Sequence, residues 1–321
     1  MAALTRLIAP TVDAARACVG VGRTGRHILR RGILLRVTLP NFLIIGAHKG
    51  GTTSLHSYLG AHPDVFVPRA LEPSFFALEG RPRTNPDGSP TDALMQSSGA
   101  VYTLEEYEGL FADVTSESAV GEKSPAYLTN RDAPHRIRAL IPDVRLIAVL
   151  RNPIERAFSH YLMVVRGGLE RSPFDEAIIG ERNKEPSSPG VVRHYVRSGL
   201  YAKRIARYQG LFPPEQLRIY LYEDLDRDTL AVVEDIYQFI GVDPTFRPDV
   251  SVRHNAKPRS SGRRGLLSRK IPHLSPRPDP RVDSTSVEMP SATRRELLDF
   301  YRDDITRLQT LIGRDLSSWL S

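Results

Sequence analysis

From about residue 39 onward, short apolar runs alternate with longer stretches in which apolar residues recur every three or four positions. Residues 41–46 (NFLIIG) form an apolar run that ends in glycine, the pattern of a buried strand entering a turn. Residues 65–67, 119–121, 145–150 (RLIAVL) and 217–222 (LRIYLY) have the same short aliphatic or aromatic character and predict further buried strands. Helical spacing follows in residues 52–59, where Leu55 and Leu59 stand four apart, and near 103–111, 131–140, 154–166, 199–211, 229–240 and 291–312. Strands alternating with helices predict an α/β fold of three layers, with a central, mostly parallel sheet and helices on both faces. Residues 79–100 are rich in Gly, Pro, Ser and Asp, and residues 254–290 in Pro, Ser and Arg; both read as loops, and the second is too long for a passive connection.

A length of 321 residues suits this reading, with residues 39–321 as the folded domain and residues 1–38 as a basic arm. The net charge of +7 is unevenly placed. Arg6, Arg16, Arg23, Arg26, Arg30, Arg31 and Arg36 face only Asp13 in the first forty positions, and a second basic run extends from Arg253 to Arg281. The arm is expected to be partly helical. Clustered cations suit an anionic ligand or an anionic membrane surface better than a general nucleic-acid role. No stretch reaches the ~20 apolar residues that span a bilayer. The lone Cys18 excludes an internal disulfide and any multi-cysteine metal site, which fits a reducing compartment.

The strongest local signal is Gly46-Ala47-His48-Lys49-Gly50-Gly51-Thr52-Thr53-Ser54, set between a predicted strand and a predicted helix. Glycines let successive backbone N–H groups converge on an anion at a helix start, Lys49 adds a point charge, and the Thr52, Thr53 and Ser54 hydroxyls add donors. The string nearly satisfies the nucleotide-binding pattern G-x-x-x-x-G-K-[ST], but Thr52 stands where that lysine belongs and Lys49 comes three positions earlier. The strand at 145–150 ends in Arg151-Asn152-Pro153 rather than in an Asp that would help hold Mg²⁺. Asn152 is placed to cap the next helix, Pro153 to open it and Glu155 to complete a capping box. Arg151 leaves the strand end, where ligands bind in such sheets, and Ser159 lies two turns further on, available to a phosphate that Arg151 clamps.

These motifs resemble the PAPS-dependent sulfotransferase superfamily (PAPS, 3′-phosphoadenosine-5′-phosphosulfate), and within it the branch of the heparan sulfate N-sulfotransferase domain and the glucosaminyl 3-O-sulfotransferases. The likeness is carried in order by PNFLIIGAHKGGTTSLHSYLGAHPDV, LEPSFF, GEKSPAYL and RLIAVLRNPIERAFSHY, with support from GLYAKRIARY and LYEDLDRDTLAVVEDIYQFIGV. The resemblance implies a P-loop-like fold and a donor held without metal. Lys49, Gly51, Thr52 and Thr53 would hold its 5′-phosphosulfate, and Arg151 and Ser159 its 3′-phosphate; Gly50 and Ser54 of the same turn are read as donor contacts with them. It also implies Glu72 as general base, Lys123 at the reaction centre, and a carbohydrate or glycoconjugate acceptor. Golgi members of that branch carry a cysteine pair around a late cofactor loop and an N-terminal membrane span. Here the corresponding residues 257–265 (KPRSSGRRG) hold no cysteine but offer Lys257 and Arg259 to the donor, and residues 1–40 hold no span. Both departures point to a cytoplasmic enzyme, with the arm free to touch a membrane.

Two other classes compete: a small-molecule kinase using ATP and Mg²⁺, and a non-catalytic anion- or membrane-binding protein whose working part is the arm. Thermal shifts with ATP–Mg²⁺ against 3′-phosphoadenosine-5′-phosphate (PAP) separate the first, and deletion of residues 1–38 the second. His48 reads as a loop histidine and His160 as solvent-facing. Tyr127 and Tyr201 are placed either in the core or at the cleft, and Trp319 is expected to anchor the last helix. Residues 79–100, 165–198 and 254–290 are expected to shape acceptor choice, whereas the acceptor itself and the oligomeric state leave no mark in the sequence.

Overall fold

The computed structural model describes residues 18–22, 25–30, 33–85, 99–182, 194–251 and 287–321. Three short strands come first, β1 (Cys18–Gly22), β2 (Gly25–Arg30) and β3 (Ile33–Val37), paired antiparallel in that order as a sheet of their own. The expected helical content of the basic arm is replaced here by strand. Val19, Val21, Ile28 and Val37 favour extended backbone, and Gly20, Gly22 and Gly25 interrupt any helical turn.

The central sheet begins with β4 (Phe42–Gly46), followed by α1 (Thr52–Leu59), β5 (Val65–Phe66), α2 (Phe75–Leu78), α3 (Leu104–Gly109) and β6 (Ala119–Lys123). Next come α4 (Ala126–Thr129), α5 (Ala133–Leu140), β7 (Arg145–Leu150), α6 (Pro153–Arg166), α7 (Phe174–Arg182) and α8 (Ala202–Gln209). The chain finishes with β8 (Leu217–Leu221), α9 (Tyr222–Arg227), α10 (Thr229–Ile240) and α11 (Ser291–Ile312). Five strands pair in the order β5-β6-β4-β7-β8, and every neighbouring pair is parallel. All five correspond to the apolar runs of the sequence. The short helices α2, α4, α7 and α9 do not follow from its periodicity, and α7 lies inside a stretch expected to be loop.

Alternation along the strands splits the interior into two cores. Phe42 and Ile44 of β4 and Ile147 and Val149 of β7 pack with α1 and α10 on one face. Leu43, Ile45, Leu146, Ala148 and Leu150 point the other way, into a larger core closed by α2, α4, α5, α6, α8 and α11. Each such side chain removed from water contributes about 1.5–3 kcal/mol, so β4 and β7, buried on both faces, are the firmest part of the molecule. Trp319 fixes the carboxyl end as expected, buried with its indole N–H donating to Glu223 at 3.1 Å.

The strand order positions the site. β4 lies between β6 and β7, so the chain leaves the sheet in different directions from neighbouring strands and opens a crevice at their carboxyl ends. Three segments far apart in sequence meet there: residues 46–51 after β4, Lys123 and Ser124 at the end of β6, and Arg151 after β7.

Candidate active site

The turn after β4 is pinned to β7 before it reaches α1. The Ala47 N–H donates to the Val149 carbonyl at 2.8 Å, and the Gly50 N–H donates back to the Ala47 carbonyl at 3.0 Å. A β-carbon on Gly50 would lie 2.4 Å from the Val149 oxygen, so only glycine fits this approach. Lys49 and Gly51 both adopt left-handed backbone, with φ of 68° and 89°, which turns the chain into α1 with the amino end of the helix facing the crevice. The first N–H groups of a helix lack intrahelical partners and carry a partial positive charge, so this turn is built to receive an anion. Thr52 is buried at the helix start, while Thr53 and Ser54 are half-buried.

Arg151 stands in the same mouth. Its guanidinium donates to the Lys49 carbonyl at 3.3 Å and lies 4.6 Å above the Tyr222 ring, which holds it flat. The Tyr201 hydroxyl donates to the Arg151 carbonyl at 3.0 Å, and the Tyr201 side chain is fully buried. Tyr201 therefore sits in the core, one of the two places the sequence left open for it, and braces Arg151 from behind. Ser159, half-buried, follows two turns into α6. Asn152 caps this helix as expected, accepting from the N–H groups of Ile154 at 2.9 Å and Glu155 at 3.4 Å. Glu155 does not complete a capping box; its carboxylate pairs with Arg294 of α11 at 2.5 Å. Lys257 and Arg259 lie outside the described residues.

On the other side of the turn, the Lys123 ammonium reaches Glu72 at 2.8 Å and the Thr53 hydroxyl at 3.4 Å. Lys123 is 2% exposed and Glu72 29%, so the pair has one end in the protein and the other at the crevice. Burial, then the neighbouring charges of Arg166 and Arg151, push the Lys49 ammonium down to about 8. The Glu72 carboxylate acts on it in the opposite sense. A crevice holding Lys49, Lys123 and Arg151 around Glu72 favours a ligand with more than one negative charge.

Two histidines differ from expectation. His160 is buried rather than solvent-facing, and its ring lies parallel to that of His48 at 6.3 Å. Burial lowers both, His48 to about 4, so each is neutral near pH 7. The fully buried Arg156, which sequence reasoning passed over, donates to the Tyr195 carbonyl, and its charge disfavours protonation of His48, His160 and Lys49. Its i, i+4 spacing to His160 was the available signal, hidden because arginine on a helix normally reads as surface.

A Sulfotransferase family model matches residues 40–247. The chain belongs to this family. Among curated relatives of this sulfotransferase is human heparan sulfate glucosamine 3-O-sulfotransferase 6, 30% identical over 288 residues that cover 87% of this chain and 74% of that protein. Bovine bifunctional heparan sulfate N-deacetylase/N-sulfotransferase 2 is 26% identical over 88% of this chain, which spans 31% of that protein's length. Among solved structures, a sulfotransferase from Alicyclobacillus acidocaldarius shares 33% identity with a TM-score of 0.72, covering 89% of this chain and all of the other. Membership makes the chain an enzyme with PAPS as its cosubstrate and does not favour the kinase reading. The residue roles rest on the geometry above.

Proposed function

We propose that this sulfotransferase moves the sulfuryl group of PAPS to a hydroxyl or amine of a carbohydrate or glycoconjugate, releasing PAP. The observation that carries the reading is the placement of Glu72 within 2.8 Å of Lys123, which also reaches Thr53 beside the anion turn. A carboxylate thus stands beside the turn proposed to hold the phosphosulfate, which supports its reading as the base. The carbohydrate class is supported by the heparan sulfate relatives named above. Cytoplasmic placement, with membrane contact through residues 1–38, completes the proposal on the strength of the lone Cys18 and the arginine-rich arm.

The residues fit the donor. The N–H groups opening α1, Lys49, Gly50, Gly51, Thr52, Thr53 and Ser54 would take its 5′-phosphosulfate, and Arg151 with Ser159 its 3′-phosphate. Bound PAPS supplies an activated S–O bond. Glu72 accepts the acceptor's proton as the new bond to sulfur forms and the bond to the 5′-phosphate breaks. Lys49 offsets the charge that gathers on the leaving phosphate, and Lys123 keeps Glu72 aimed until the acceptor arrives. Most of the rate comes from alignment and charge stabilisation, because sulfur passes directly between two oxygens, or from oxygen to nitrogen.

Glu72→Gln should lower turnover by roughly 10²- to 10⁴-fold, the usual worth of a placed general base, and leave PAP binding intact. Lys49→Ala should abolish transfer and weaken PAP binding as well. Incubation with labelled PAPS and a panel of glycans and glycolipids reads both and identifies the acceptor class. Normal turnover in Glu72→Gln would overturn the base assignment, and transfer only to non-carbohydrate acceptors would overturn the acceptor class.

A further inference from the structure

Next to Lys123 on β6 stands a carboxylate that the proposed chemistry does not use. Glu122 is fully buried, and among the described residues no cation bonds to it. One oxygen accepts the hydroxyls of Tyr127 at 2.6 Å and Tyr107 at 3.2 Å; the other accepts the Ser124 hydroxyl at 2.8 Å. The Ser124 oxygen in turn accepts the backbone N–H of Ser74 at 2.8 Å. Ser74 holds left-handed backbone at φ 54° and lies two residues after Glu72. A buried carboxylate with three hydroxyl donors is costly to assemble, and an apolar residue would fill the space at less expense.

We infer that Glu122 is a positioning residue for Glu72, acting through Ser124 and Ser74 to fix the segment that carries the base against the end of β6. The inference rests on the base assignment made above. By donating its O–H to Glu122, the Ser124 hydroxyl turns a lone pair toward the Ser74 N–H. The same carboxylate orients Tyr107 and Tyr127, which form the aromatic bed under α2: Tyr107 stacks on Phe75 with centroids 4.5 Å apart, and Tyr127 meets Phe76 edge-on at 5.5 Å. Glu72 is thereby clamped from two sides, by Lys123 at its own carboxylate and by Glu122 through the backbone that follows it.

The clamp responds to pH. Burial pushes the Glu122 carboxyl up to about 7, against the opposing pull of its three hydroxyl donors and of the Lys123 charge. The groups facing it are Tyr107 of α3, Tyr127 of α4, Ser124 and Lys123 of its own segment, and, at longer range, Tyr208 of α8. The tyrosines are all raised and stay protonated near neutrality. Protonating Glu122 turns one acceptor oxygen into a donor, leaving one of its hydroxyl partners without a place and loosening Ser124 from Ser74. Positioning is thus present above about pH 7 and is lost as pH falls through it.

The test measures turnover with labelled PAPS and desulfated heparan sulfate as the acceptor probe, PAP affinity by calorimetry, and variant crystal structures. Ser124→Ala removes one hydroxyl and spares the aromatic bed; Glu122→Gln removes the charge. Both should lower kcat by roughly 10- to 100-fold with KM for PAPS and PAP affinity unchanged, and Glu122→Gln should flatten the fall in kcat as pH drops through about 7. In the Ser124→Ala crystal, Ser74 should shift and the Lys123–Glu72 contact should open. Wild-type kcat with an unmoved Ser74 in Ser124→Ala overturns the inference, as does a loss of kcat matched by equal loss of PAP affinity, the sign of general loosening. Glu72→Gln is run alongside. Normal turnover there overturns the base assignment and this role together, whereas low turnover there with a fully active Ser124→Ala overturns only the role of Glu122.

Discussion

Lys49 shows how one residue can set the working range of the site. Its ammonium is held down to about 8 by burial and by Arg166 and Arg151. Below that value it is charged with or without ligand. Above it, binding a phosphate must first return a proton to the side chain. PAP affinity should therefore be flat below about pH 8 and fall toward about tenfold per unit above it, a limb that calorimetric titration across this value reveals and that Lys49→Arg should remove. Lys49 was legible in the sequence because the glycines around it announce a turn with a purpose, and Arg151 because it ends an apolar strand. His160, Arg156 and Glu122 were not, since their surroundings come from segments far away. His160 meets His48 of another loop, Arg156 meets Tyr195, and Glu122 gathers hydroxyls from α3 and α4. A charged residue in a local pattern carries no sign of the partners that will bury it.

At the level of elements, the apolar runs found all five central strands because both faces of each are covered, leaving little polar interruption. Of the helices missed, α2 and α4 have four residues, too few for a period of 3.6 to repeat, α9 follows β8 directly, and α7 lies in a stretch read as loop. β1–β3 escaped notice because arginines break their apolar positions and the charge pattern dominates the reading. α6 is the element on which the second half of the site depends, and Asn152 starts it with two backbone bonds. Asn152→Ala should cost about 1 kcal/mol of stability by denaturant titration, the usual worth of such a cap. It should weaken PAP binding more than it slows the chemical step, since Arg151 and Ser159 flank the affected turn while Glu72 does not.

For the whole molecule, the sheet order brings the candidate site to the carboxyl ends of the three inner strands. β4, β6 and β7 deliver the anion turn, the lysine that holds Glu72, and the arginine into a single crevice, while β1–β3 form a separate sheet that contributes no strand to it. Deleting residues 1–38 should accordingly leave kcat and KM for PAPS within about twofold of the full chain, with any effect confined to binding of anionic vesicles, as sedimentation would show. A large loss of transfer on deletion would mean that the arm belongs to the catalytic unit.

The ion pair between Lys123 and Glu72 bears on economy as much as on rate. Water is always present at concentrations no sugar approaches, and an enzyme that activated it would squander every sulfuryl group it bound. Lys123 occupies one oxygen of Glu72 at 2.8 Å, so in the proposed chemistry an acceptor has to displace or share that contact, and a molecule as small as water brings few contacts of its own with which to do so.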